Sequence, residues 1–133
     1  MGSYNYTSLG EGKPNAPLIT VQLASLDKTE PKKVNGRAFL DTGSDITLVP
    51  LDALAKIGAK FARNVDVYGV GGNKTTVYAS YVAFTMDNYT LPLVVVYGCP
   101  IEATGGDVIV GRDLLNQYCI QFDGLKQTFS FIY

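Results

Sequence analysis

The residues best placed to do chemistry are Asp41, Thr42, Gly43 and Ser44, a carboxylate followed by hydroxyl, glycine and hydroxyl directly after the short apolar run Ala38-Phe39-Leu40. A strand that ends in Asp-Thr-Gly delivers its acid at a tight turn. There glycine tolerates dihedrals or a close backbone approach that a side chain forbids, and Thr42 is suited to tie the turn down. The motif occurs once, so chemistry that needs two such acids needs two copies of the chain. The sequence contains no His. That removes the usual general base, the usual zinc ligand and the partner of a nucleophilic Ser or Cys, which leaves carboxylates to do the work.

The elements that must position Asp41 read as an all-β chain with one or two short helices. Residues 1–16 are rich in Gly, Asn, Ser and Pro without a sustained period and read as a flexible arm, whose opening Met1-Gly2-Ser3 resembles an expression scar. The folded domain is expected over 17–133. Strands are expected at 18–23 and 36–40, with a polar loop at 27–35 between them, and the second strand feeds Asp41. A short β-like run at 46–49 leads to Pro50, which suits the first turn of a small helix with Leu51, Leu54 and Ile57 on one face and Gly58 at its end. Residues 65–86 read as a long hairpin whose arms are dominated by Tyr, Val and Thr and whose tip is Gly69-Val70-Gly71-Gly72-Asn73. Residues 89–97 form a strand, 98–106 a loop, 108–111 a buried strand ending in glycine, and 112–118 a second helix. Strands at 120–122 and 128–132 flank an Asp123-Gly124 turn.

Composition bounds the partners. The chain has 133 residues, enough for one core but not for two lobes. With 11 Lys and Arg against 12 Asp and Glu and no run of like charge, it carries neither a nucleic-acid footprint nor a polybasic membrane patch. No apolar run approaches the roughly 20 residues of a membrane span, and the start lacks a signal peptide, which favours a cytoplasmic location. Cys99 and Cys119 are read as buried reduced thiols, with a single bridge between them as the alternative. The stretch Gly69-Val70-Gly71-Gly72-Asn73-Lys74-Thr75 is not a phosphate loop, because Asn73 stands where such a loop needs Gly. Asp41 and Asp45 do not form a calcium loop, because Gly43 follows two residues after the first acid and no Glu closes a twelve-residue segment.

Three blocks together carry a family resemblance: Ala38-Phe39-Leu40-Asp41-Thr42-Gly43-Ser44, the Gly-rich hairpin from Tyr68 to Asn73, and Val108-Ile109-Val110-Gly111-Arg112-Asp113-Leu114-Leu115. In order and spacing, over roughly residues 17–123, they resemble the retropepsin family of single-domain aspartic proteases. The resemblance implies a closed, barrel-like β fold, a single lobe forming a two-fold homodimer, and a catalytic Asp41 from each subunit at the axis. It implies an endopeptidase acting on extended polypeptide segments, with no metal or organic cofactor. Tyr68, Gly69, Val70, Gly71 and Gly72 would form a flap over the substrate, with Thr42, Gly43 and Ser44 supporting the catalytic loop. Arg112 would bridge to Asp45 as a partly buried, bidentate pair locking the active-site turn to the second helix.

Two expectations are specific to this chain. Ser44 is expected to donate its hydroxyl to the outer oxygen of Asp41, favouring the ionised form and an acid-shifted optimum compared with a relative carrying Ala here; otherwise it only caps the turn. The apolar tail beyond Gly124 departs from the shortest viral members, and its last strand is expected in an intersubunit sheet or a hairpin. A catalytically inactive dimerisation or peptide-binding domain on the same fold is the competing reading.

Overall fold

Alternating and continuous apolar runs become strands through most of the chain. In the structure, a computed structural model, residues 2–132 are described; Met1, which opens the expected scar, and Tyr133, which closes the expected domain, lie outside them. The strands are β1 (Ser3–Asn5), β2 (Leu18–Ala24), β3 (Lys33–Leu40), β4 (Leu48–Pro50), β5 (Phe61–Tyr68), β6 (Lys74–Met86), β7 (Tyr89–Cys99), β8 (Val108–Val110), β9 (Ile120–Asp123) and β10 (Thr128–Phe131). The helices are α1 (Leu51–Lys56), α2 (Ile101–Thr104) and α3 (Arg112–Leu115).

Hydrogen bonding runs in the order β2-β3-β8-β4-β7-β6, and a further β2–β6 pairing with Leu23 opposite Phe84 closes these six strands into a barrel. β5 pairs only with β6 and hangs outside the closure as the outer arm of the long hairpin. Two parallel pairings bracket the turn that carries Asp41. Leu40 of β3 lies opposite Val110 of β8, and Leu48 of β4 lies opposite Tyr97 of β7. The barrel is filled by the inward residues of every strand, among them Val21, Leu23, Ala38, Leu40, Val49, Val82, Phe84, Val96 and Val110, with Leu54 and Ile57 of the α1 segment packed on them. Alternation along β6 slips at Ala79 and Ser80, which are both buried, where its register with β5 shifts between Phe61 and Arg63. The buried Ser80 hydroxyl is satisfied by donating to the Lys60 carbonyl at 3.0 Å.

The structure corrects several expectations. The 98–106 loop contains one helical turn, α2, so the described residues form three short helices rather than one or two. Pro100 presets its entry at φ −59°, and Gly105, at φ +68°, donates its amide to the Ile101 carbonyl at 2.7 Å. Pro50 is the last residue of β4 and the N-cap of α1 rather than part of its first turn. The start of the chain is not a free arm. β1 pairs antiparallel with β10, and Tyr6 donates its amide to the Gln127 carbonyl at 2.8 Å. The reason is aromatic burial: Tyr4 stacks on the buried Phe129 at 5.3 Å, and its hydroxyl donates to Asp87. β9 and β10 form the expected hairpin. Because β1 covers the other side of β10, both edges of the last strand are used inside one chain. Cys99 is buried as expected, whereas Cys119 is exposed. Among the described residues no helix is long and apolar enough to cross a membrane.

Candidate active site

β3 runs out of its pairing with β8 at Leu40, and the chain turns at once. The Asp41 amide donates to the Val110 carbonyl at 2.9 Å, and the Ser44 amide donates back to the Asp41 carbonyl at 3.2 Å, closing the turn. The Gly43 amide donates to Asp41 Oδ1 at 2.9 Å, which fixes the carboxylate against its own turn. A Cβ on Gly43 would sit 3.2 Å from that same oxygen. Close approach, not a left-handed backbone, is therefore what this glycine supplies. Asp41 is half-buried while Thr42 and Gly43 are exposed.

The second block packs directly behind the turn. A Cβ on Gly111 would lie 2.4 Å from the Ile46 carbonyl oxygen and 2.9 Å from that of Ser44, so only glycine fits. The Arg112 amide donates to the Ser44 carbonyl at 2.8 Å. In front of the turn opens a groove of about 770 Å³. Asp41, Ser44, Ile46 and Leu48 line it from below, Val67 to Val70 and Asn73 from the hairpin, and Val77, Cys99 and Ala103 from the side. Its lining mixes apolar side chains with three acids, Asp41 and Asp45 of the turn and Asp66 of the hairpin, and of these Asp41 is the one held by the Gly43 amide, an arrangement suited to holding an extended chain across a carboxylate. Among the described residues no His, Cys, Asp and Glu cluster could hold a metal ion.

A family model described as "Aspartyl protease" matches residues 20–114, a span that includes the Asp41 turn, the hairpin tip and Gly111-Arg112. The chain belongs to the aspartyl protease family. Its fold is retropepsin-like. It resembles the EIAV protease complexed with the inhibitor HBY-793 at 20% identity and a TM-score of 0.53, covering 84% of this chain and 93% of that one. The retroviral protease-like domain of Ddi1 from Leishmania major superposes with a TM-score of 0.57 at 13% identity, covering 91% and 97% of the two chains. A retropepsin-like aspartic protease from Rickettsia conorii gives 0.54 at 14% identity, covering 89% and 93%. No curated protein matches the chain.

Within this family member the site departs from expectation in detail. Ser44 does not donate to Asp41; its hydroxyl goes to the Ile46 carbonyl at 2.7 Å and braces the turn. Thr42 contributes its carbonyl, which accepts from Arg112 Nη1 at 2.7 Å. The Arg112 fork is thus split between Thr42 and Asp45 rather than bidentate on the acid. With side chains 45% and 83% exposed, the Arg112–Asp45 pair is not partly buried either, and an ion pair so wetted contributes at most about 1 kcal/mol. The bidentate geometry occurs elsewhere: Arg37 Nε and Nη2 reach the two oxygens of Asp107 at 3.0 Å each, tying β3 to the segment before β8. That carboxylate raises the Arg37 guanidinium above its ordinary pKa through the hydrogen bond and the charge.

At the hairpin tip the Gly69 amide donates to the Asn73 carbonyl at 3.0 Å, and Gly71 and Gly72 take φ of +87° and +81°, which a side chain would disfavour. Val70 is fully exposed there. Tyr68 sits at the groove rim, but it pairs with Lys74 on the outer face of the hairpin, in phase with Asp66 and Thr76. Val67 and Thr75, opposite one another and in phase with buried Val77, also line the groove, with Asp66 and Tyr68 of the other phase at its edge. Strand alternation counted back from Val77 identifies Val67 and Thr75. Thr47 and Asp113 were also missed. They lie behind the turn, and the acid following Gly111-Arg112 was the one signal for them in the sequence.

Proposed function

We propose that the chain is an aspartic endopeptidase, active as a homodimer in which Asp41 of each copy meets its counterpart across a two-fold axis. One observation carries this reading: of the acids lining the groove under the glycine-tipped hairpin, Asp41 alone stands in the Asp-Thr-Gly turn with its carboxylate pinned by the Gly43 amide. One such acid cannot supply both a base and an acid, and the motif occurs once per chain. Two carboxylates in contact cannot both ionise cheaply, so the pair holds one shared proton, an arrangement for which aspartic proteases are the standing example. The ionised member takes a proton from a water held between the two, while the protonated member donates to the scissile carbonyl. A tetrahedral gem-diol results without a covalent enzyme intermediate. The substrate lies as an extended strand between the turn and the hairpin, its alternate side chains entering the apolar walls around Ile46, Leu48, Val67 and Val77. Gly71 and Gly72 let the tip open for a polypeptide and close over it.

The test is cleavage of a mixed peptide library across pH 3 to 8 by the wild-type chain and by Asp41→Asn. Cleavage by the wild type, inhibition by a pepstatin-type transition-state mimic and loss of cleavage in a variant that still dimerises support the proposal. A wild type that dimerises but cleaves nothing favours the dimerisation or peptide-binding reading.

A further inference from the structure

Behind the active-site turn lies a hydrogen-bond network that the proposed reaction does not itself use. Thr47 is fully buried, and all its polar groups are engaged. Its amide donates to Asp113 Oδ2 at 3.1 Å and its hydroxyl to Asp113 Oδ1 at 2.7 Å, while the hydroxyl oxygen accepts from the Gly111 amide at 3.1 Å. Its carbonyl accepts from the Tyr97 amide of β7 at 2.9 Å. The Leu114 amide adds a third donor to Asp113, at 2.9 Å from Oδ1.

Gly111 occupies a particular place. Its neighbour on one side, Val110, accepts the Asp41 amide, and its neighbour on the other, Arg112, donates to the Ser44 carbonyl. The two anchors of the catalytic turn are therefore the residues flanking Gly111, and the Gly111 amide is oriented by the Thr47 hydroxyl. We propose that Asp113 is a positioning residue for Asp41, acting through Thr47 and the Gly111 peptide; the kinetic consequence rests on Asp41 being the proteolytic acid.

The chemistry requires a carboxylate at 113. Three donors converge on it, and an amide would turn its NH2 either toward the Thr47 amide at Oδ2 or toward the Leu114 amide at Oδ1, setting N–H against N–H in both orientations. With the Thr47 hydroxyl no longer oriented, the Gly111 amide loses a buried acceptor, and the anchors at Val110 and Arg112 shift together.

The test compares Asp113→Asn, Thr47→Val and their double variant with wild type, measuring kcat and KM on a cleaved peptide and amide hydrogen exchange at Asp41, Gly43 and Gly111. The expected result is a fall in kcat of about 10- to 100-fold in either single variant, with KM nearly unchanged. The double variant should be no worse than either single one, as for residues acting through one chain of bonds. Thr47→Ser, which keeps the hydroxyl, should restore most of the kcat lost in Thr47→Val. Exchange at Asp41, Gly43 and Gly111 should accelerate in the impaired variants. Wild-type kcat in either folded single variant, additive losses, or unaltered exchange at the three amides would overturn the proposal. Failure of both single variants to fold would overturn it as well, by assigning Asp113 to stability alone. If the wild type cleaves no peptide, the proteolytic reading fails, and the exchange data alone decide whether Asp113 positions the turn.

Discussion

Asp41 takes its place from one amide hydrogen bond and its orientation from another: its own amide donates to the Val110 carbonyl, and the Gly43 amide donates to its Oδ1. Neither involves Ser44. Because the Ser44 hydroxyl donates to the Ile46 carbonyl, Ser44→Ala is expected to lose about 0.5–1.5 kcal/mol of stability, seen as a lower denaturant midpoint. The pH profile of cleavage should keep its position, and an alkaline displacement of the acid limb would restore the direct Ser44 to Asp41 contact. Gly111→Ala places a methyl on the Ile46 carbonyl, and backbone on both sides leaves nothing to rotate away. It is expected to cost about 1–3 kcal/mol, read by thermal unfolding, and to lower cleavage as the turn shifts. At the thiols, an alkylating reagent should modify exposed Cys119 rapidly and Cys99 only on unfolding. Burial pushes the Cys99 thiol above its ordinary pKa, with the Thr104 side chain opposing. A folded value above the unfolded one contributes stability that is present below the ordinary thiol range and lost as pH rises through the folded value. Cys99→Ala should therefore lose less stability on the alkaline side than wild type, and equal alkaline slopes would contradict this.

At the scale of elements, the terminal sheet is the part of the fold most open to test. Phe129 is buried on β10 between β1 and β9 and meets Tyr4, Tyr6 and Phe122. Phe129→Ala is expected to cost about 3–5 kcal/mol, and deletion of residues 2–7 should lower Tm by uncovering the same ring. An unchanged Tm on deletion would mean that β1 is no part of the folded lobe. The sequence carried the barrel strands and the hairpin plainly, because Leu18 to Leu23, Leu93 to Val96 and Val108 to Val110 are apolar enough to announce burial. It did not carry β1 or the first residues of β3. Lys33, Val34 and Asn35 look like loop but pair with Ala24, Leu23 and Gln22, since a long-range partner outweighs local polarity. Residues 3–5 join the sheet through Tyr4, whose partners lie more than eighty positions away. At the site, the types and order of Asp41, Gly43, Gly111 and Arg112 were legible. The direction of the Ser44 hydroxyl and the splitting of the Arg112 fork were not, because each depends on which neighbouring carbonyl or carboxylate the fold brings within about 3 Å.

For the whole molecule, the proposed chemistry is a property of two chains. The exposed residues Thr42, Gly43 and Asp45 at the turn make too small a patch to hold a dimer by themselves, since a stable interface buries on the order of 1,200–2,000 Å². Specific activity should therefore rise with protein concentration until the dimer saturates. The most direct measurement is a mixing experiment: wild type and Asp41→Asn are combined at fixed total concentration, allowed to exchange, and assayed as the wild-type fraction is varied. If each site draws one acid from each copy, activity follows the square of that fraction, so an equal mixture retains about a quarter of the full rate. A rate that falls only in proportion to the wild-type fraction would mean that each chain works alone, and would contradict the shared-acid mechanism.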